Sequence, residues 1–149
     1  MVGRTKDLKT MSPERRYTDR PLALAAFLGS ALLAAFWTLY LMGWTTTGEP
    51  GDAVADFEAA FPLADALIVV LLLVGGVGLW TGRSVGRFAV ISAASMVLYL
   101  GVLDLTFYSR HGLFTNPVGE SVLQIVVILA CLSGGTLALI RCRQLGRTP

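Results

Sequence analysis

The sequence predicts an all-α integral membrane protein, an antiparallel four-helix bundle of up-down-up-down topology with both termini in the cytoplasm. Three observations predict this fold. Hydrophobic residues make up 54% of the 149 residues and charged residues 15%, whereas a soluble domain is about 25% charged. Four apolar runs each reach the roughly 18 residues that a membrane-spanning helix needs. Finally, the basic residues collect on one predicted side of these runs.

The first predicted helix covers about 21–43 and follows a polar, basic arm at 1–20. Its charge-free run, PLALAAFLGSALLAAFWTLYLMG, is longer than the apolar core of roughly 7–15 residues typical of a cleaved signal peptide. We therefore expect this helix to remain in the protein.

The other three helices are separated by polar turns, and Pro62 suits a first helical turn because its missing N–H costs nothing there. An acidic loop at 44–60 precedes the second helix. The transmembrane domain as a whole is expected over 21–141, followed by a basic cytoplasmic tail at 142–149. The predicted ranges of the second, third and fourth helices are about 62–81, 88–108 and 120–140.

The orientation follows from the basic residues, because Lys and Arg near helix ends are retained on the cytoplasmic side. Arg110 alone falls on the opposite predicted side. The other basic residues are six in the arm, Arg83 and Arg87 in the turn between the second and third helices, and Arg141, Arg143 and Arg147 in the tail. We expect cytoplasmic termini and a plasma (inner) membrane location.

Two acids interrupt apolar helices at one predicted depth. Asp65 lies three residues inside the second helix, and Asp104 lies four residues before Tyr108 at the end of the third. A rise of about 1.5 Å per residue places both roughly 5 Å below the outer surface. Gly76 and Gly101 share the faces of the two acids, and small residues let membrane helices approach closely. Both carboxylates should therefore point into the bundle.

These acids predict a polar pocket at the outer end of the helices. Asp104 sits in a last helical turn, where an acid is unfavourable, so Arg110 or His111 is its expected partner. An ion-pair network with a purely structural role is the alternative interpretation. The candidate ligand-binding residues are Tyr40, Asp65, Asp104, Tyr108, Arg110, His111, Glu120 and Gln124.

Cys131 and Cys142 are eleven residues apart on one predicted helix, which is about 16 Å at the helical rise and too far for a disulfide. No CxxC pair indicates a redox or zinc site. No set of metal ligands has a fixed spacing, and no nucleotide-binding motif occurs. We therefore expect no cofactor, no metal and no nucleic-acid partner.

No known family is recognised from these residues. Small multidrug resistance transporters share the size and helix count, but they carry a glutamate in a first helix that has no charge here. Vitamin K epoxide reductase-like proteins also have four helices, but they need a CxxC pair.

Three classes of function remain. We favour a membrane protein that binds or passes a small polar or cationic ligand, or a lipid headgroup, in the outward-facing pocket. The alternatives are an accessory subunit of a larger complex and an intramembrane enzyme acting on a lipid or isoprenoid with Asp65 and Asp104 as an acid/base pair. The expected partners are membrane lipids and a homodimer or larger membrane complex. The glycines of 75–86 favour packing within the chain over a dimer interface.

Overall fold

The structure, a computed structural model, describes residues 19–43, 53–111 and 118–145, with the backbone alone at 53–54, 118–121 and 123. Four of its helices are long and apolar enough to cross a membrane, which confirms an all-helical chain with the character of an integral membrane protein. The helices are α1 Arg20–Leu41, α2 Ala53–Glu58, α3 Pro62–Trp80, α4 Ser84–Arg110 and α5 Val118–Leu145.

The bounds differ most from the predicted ones at α2, at the end of α5, and at the start of α4, which is described with its turn below. The short helix α2, Ala53–Glu58, lies within the predicted acidic loop. The helix α5 continues to Leu145, so residues 142–145 of the predicted tail form its last turn.

Local signals fix where the helices begin. The carboxylate of Asp19 accepts a hydrogen bond from the Leu22 backbone N–H at 3.1 Å, and Pro21 occupies the first turn of α1. Such a cap satisfies one of the backbone donors that a helix start leaves free. Pro62 likewise opens α3.

A three-residue turn joins α3 to α4. Gly82 adopts a left-handed φ of 73°, and the Arg83 backbone N–H donates to the Gly78 carbonyl at 2.8 Å. This is the Schellman arrangement, in which a glycine past the helix end lets the chain reverse at once. The α4 helix therefore starts at Ser84, before the predicted 88.

The long helices pack in chain order, α1 on α3, α3 on α4 and α4 on α5. Adjacent glycines let α3 pack closely against both α1 and α4. A Cβ on Gly76 would lie 2.7 Å from the Phe27 ring of α1, and a Cβ on Gly75 would lie 2.5 Å from the Val90 side chain of α4. Nearer the turn, the backbones of Gly78 and Gly86 are in direct contact.

The helices have two chemically different ends. We call the end where α1 begins and α5 finishes the arginine end. Here four helices contribute to one buried cluster made of Leu22, Ala23, Ala26, Leu79, Val90 and Cys142. We call the opposite end, where α1 finishes and α3 begins, the carboxylate end, after Asp65 and Asp104. Both cysteines are free, as predicted.

Candidate functional site

Asp65 is the most deeply buried acid of the carboxylate end, with 8% of its surface exposed. It lies in the first turn of α3, on the face that packs against α1. Its Oδ2 accepts a hydrogen bond of 2.7 Å from the indole N–H of Trp37 on α1. Its Oδ1 is also buried, and no donor in the described part of the chain reaches it. Leaving a buried acceptor without a donor costs about 1–3 kcal/mol, and more for a charged group.

Asp104 is the second acid of this end. Its half-buried carboxylate on α4 lies within electrostatic range of both Asp65 and Glu58. Like charges repel strongly where water is scarce. The structure therefore brings together three acids from α2, α3 and α4.

Glu58 belongs to the site through Tyr108. The phenol of Tyr108, itself 5% exposed, donates to Glu58 Oε1 at 3.0 Å. The second oxygen, Oε2, is buried and receives no donor from the residues described. The geometry at Glu58 thus repeats that at Asp65, with one oxygen bonded to an aromatic donor and the other not.

Aromatic rings surround these carboxylates. Phe57 of α2 stacks on Phe107 of α4 with ring centroids 3.8 Å apart, which holds the short helix carrying Glu58 against α4. On α1, Trp37 packs edge-on against Tyr40 at 5.1 Å. Aromatic residues therefore accompany two of the acids, Trp37 at Asp65 and Phe57 in the short helix of Glu58.

The helix α5 contributes Cys131 to this end. It lies within electrostatic range of Asp104 and Asp65, and a Cβ on Gly101 would lie 3.0 Å from the Cys131 Cβ. Gly101 thus lets α5 approach α4 closely beside Cys131.

The predicted site residues do not all lie together. Asp65, Asp104 and Tyr108 come together at the carboxylate end, and Tyr40 adjoins them through Trp37. Gln124 is half-buried on α5. The side chain of Glu120 lies outside the described residues.

The expected cationic partner of Asp104 is not found. Arg110 and His111 are exposed, and the His111 ring lies on Phe107, 4.2 Å between centroids, beside the Phe107 carbonyl. The ion pair that the described residues do form joins Arg141 to Asp19 at the other end. Because α4 continues to Arg110, both cationic residues project beyond the level of Asp104.

Three contributors to the carboxylate end were not predicted from the sequence. Trp37 was interpreted as part of an interfacial aromatic belt at the outer end of the first predicted helix, and Cys131 as a small apolar packing residue. Glu58 was placed in a loop, although the segment AVADFEAA between Gly51 and Pro62 is rich in helix-forming alanine. The alanine content is the local signal that favours α2, although propensity alone is a weak indication.

Within 19–43, 53–111 and 118–145, no group of three His, Cys, Asp or Glu side chains is placed to hold a metal ion. No protein-family model matches the chain, and no curated protein or solved structure matches it either.

Proposed function

We propose that this is a small membrane protein that binds, or passes, a small organic cation at its carboxylate end. The ligand class is an ammonium group, either free or as part of a lipid headgroup. The observation that carries the proposal is the buried Asp65 Oδ1, which has no donor among the described residues and lies close to Asp104.

The balance of donors and acceptors favours a cation. Trp37 and Tyr108 each satisfy one carboxylate oxygen, while Asp65 Oδ1 and Glu58 Oε2 keep free acceptor capacity. An ammonium group carries three N–H donors and no acceptor, which complements these oxygens and offsets the mutual repulsion of the acids.

The surroundings favour an organic cation over a metal ion. The faces of Trp, Tyr and Phe attract ammonium groups. Trp37 bonds directly to Asp65, and Phe57 precedes Glu58 in α2. The enzyme alternative, with Asp65 and Asp104 acting on a lipid, would need an apolar pocket beside the two acids.

The distribution of charge supports an antiparallel bundle with its carboxylate end outside. Among the described residues, Arg110 alone lies at the carboxylate end, and Arg20, Arg83, Arg87, Arg141 and Arg143 lie at the other. Basic residues mark the cytoplasmic side, so we propose cytoplasmic termini and a plasma (inner) membrane location.

Trp37 provides a direct test of binding. The chain has three tryptophans, so the Trp44→Phe/Trp80→Phe variant reports from Trp37 alone. Titration with propylammonium chloride should change its emission saturably, with sodium chloride as the ionic-strength control. Asp104→Asn should weaken this response at least about tenfold, which is about 1.4 kcal/mol of binding free energy.

The matched control is Asp56→Asn, because Asp56 is an exposed acid on α2 near the same end. That variant should titrate like its parent. An unsaturable response, or an equal loss in both variants, would favour the accessory-subunit alternative.

Cysteine labelling tests the orientation separately. In a Cys131→Ala/Cys142→Ala background, an impermeant maleimide added outside intact cells should label a cysteine at position 51 and not one at position 9. The opposite pattern would invert the topology and place the carboxylate end inside.

A further inference from the structure

An apolar groove of about 290 Å³ lies between α1 and α3 at the arginine end. Its lining comes from the first turns of one helix and the last turn of the other: Leu24, Phe27, Val77, Trp80 and Thr81. The Thr81 hydroxyl donates to the Val77 carbonyl at 2.8 Å. The side chain therefore satisfies its polar group within its own helix, and the groove stays apolar.

The floor of the groove depends on a glycine. Phe27 rests on α3 at Gly76, where a Cβ would lie 2.7 Å from the ring. Leu24, one turn away on α1, is 57% exposed, and Val77 is 53% exposed. The groove is thus open on the outer face of the helix pair, where lipid chains lie.

A cation stands at the mouth of this groove. The guanidinium of Arg20 lies 5.7 Å from the centre of the Trp80 ring. Arg20, Leu24 and Phe27 are spaced at i, i+4 and i+7 and so share one face of α1. The carboxylate of Asp19 next to it is already bonded to the Leu22 N–H and paired with Arg141. Arg20 forms no ion pair with any acid that the structure describes.

From this arrangement we infer that the groove binds an anionic phospholipid. Its phosphate pairs with Arg20, and one acyl chain lies along Leu24, Phe27 and Val77. A planar guanidinium bonds phosphate oxygens bidentately, and Trp80 at the end of α3 is typical of the membrane–water interface. Exposed Arg83 in the neighbouring turn adds to the positive field that selects an anionic headgroup over a zwitterionic one. This site is independent of the proposed cation site.

Native mass spectrometry of the full chain, released from micelles doped with either phosphatidylglycerol or phosphatidylcholine, tests the inference. The chain should retain a first phosphatidylglycerol about fivefold more tightly than phosphatidylcholine, the factor that one basic residue supplies at a charged lipid surface. Arg20→Gln should remove this preference. Leu24→Trp should fill the groove and weaken retention of both lipids.

Arg143→Gln is the matched control, because Arg143 is exposed at the same end but lies on α5. It should keep the fivefold preference, and Arg20→Lys should keep part of it. Equal retention of the two lipids by the native chain would overturn the inference. An equal loss in Arg20→Gln and Arg143→Gln would overturn it as well, because attraction would then follow total charge and not the groove.

Discussion

Asp19 at the arginine end and Asp65 at the carboxylate end are almost equally buried, 9% and 8% exposed, yet their bonding differs. Asp19 uses Oδ1 to accept from the Leu22 N–H and Oδ2 to face the Arg141 guanidinium. Asp65 has one bonded oxygen and one buried oxygen without a donor among the described residues. Burial alone therefore does not distinguish these two acids, but the completeness of their bonding does.

The same contrast extends to the helix contacts. At the arginine end, the Arg87 guanidinium donates to the Cys142 carbonyl at 2.9 Å, and the glycines of α3 and α4 are in contact. At the carboxylate end, three acids crowd together with two aromatic donors. We infer that the arginine end contributes more to stability than the carboxylate end, where two buried carboxylate oxygens have no donor among the described residues.

The largest expected effect comes from Gly86→Leu at the arginine end. Every Cβ at this position overlaps the backbone of Gly78 and Leu79, and backbone yields less easily than a side chain. Overpacking typically costs about 1–3 kcal/mol, and we expect the upper end of this range or more. Thermal unfolding in detergent measures it.

Substitutions at two other glycines provide a comparison and a control. Gly76→Leu meets only the Phe27 ring, so a smaller loss within the same range is expected. Gly134→Leu is the control, since a Cβ there meets nothing within 4 Å. If all three variants melted alike, close packing at the arginine end would not explain stability.

The next largest effect is expected for Trp37→Phe at the carboxylate end. The substitution keeps a ring but removes the donor to Asp65 Oδ2, leaving both carboxylate oxygens without a described donor. A hydrogen bond to a charged group contributes about 1.5–3 kcal/mol, and the melting temperature should fall accordingly. Tyr40→Phe, which keeps the ring contact with Trp37, is the control. In an Asp65→Asn background, Trp37→Phe should lower the melting temperature less. An equal decrease in both backgrounds would show that Trp37 and Asp65 do not interact.

A smaller loss of stability is expected when Asp19 is replaced. Two substitutions separate the contribution of its helix cap from that of its ion pair. Asp19→Ala removes both the helix cap and the ion pair, and loss of a cap costs about 0.5–2 kcal/mol. Asp19→Asn keeps a capping oxygen but loses the ion pair. That pair spans 3.6 Å to a half-exposed Arg141, and such pairs are worth at most about 1 kcal/mol. Chemical denaturation should therefore show the larger loss for Ala, and equal losses would contradict the capping role.

The sequence indicated that Asp65 and Asp104 lie at one level of the helices, but it did not identify the side chains around them. The rise per residue sets how deep Asp65 and Asp104 lie, and the helical period sets that Gly76 shares the Asp65 face. Neither quantity says which side chain of α1 meets Asp65, because that depends on how two helices are rotated and shifted against each other. The structure supplies Trp37. Glu58 was missed because a six-residue helix between long apolar runs has little periodicity to detect.

Asp104→Asn is expected to change stability the least. It also distinguishes the two ends most clearly. A structural acid paired with Arg110 or His111 would leave an unpaired cation when replaced, but neither residue pairs with Asp104. Asp104 instead faces the charges of Asp65 and Glu58, so removing its charge relieves repulsion. We expect stability to stay level or rise by up to about 1 kcal/mol, the scale of two charges 4 Å apart in water, while the ammonium response of Trp37 weakens at least about tenfold. The gain should disappear in the Asp65→Asn background, because the repulsion has then already been reduced. Additive effects within about 0.5 kcal/mol would show that the two carboxylates do not interact. The carboxylate end would then not be a single site.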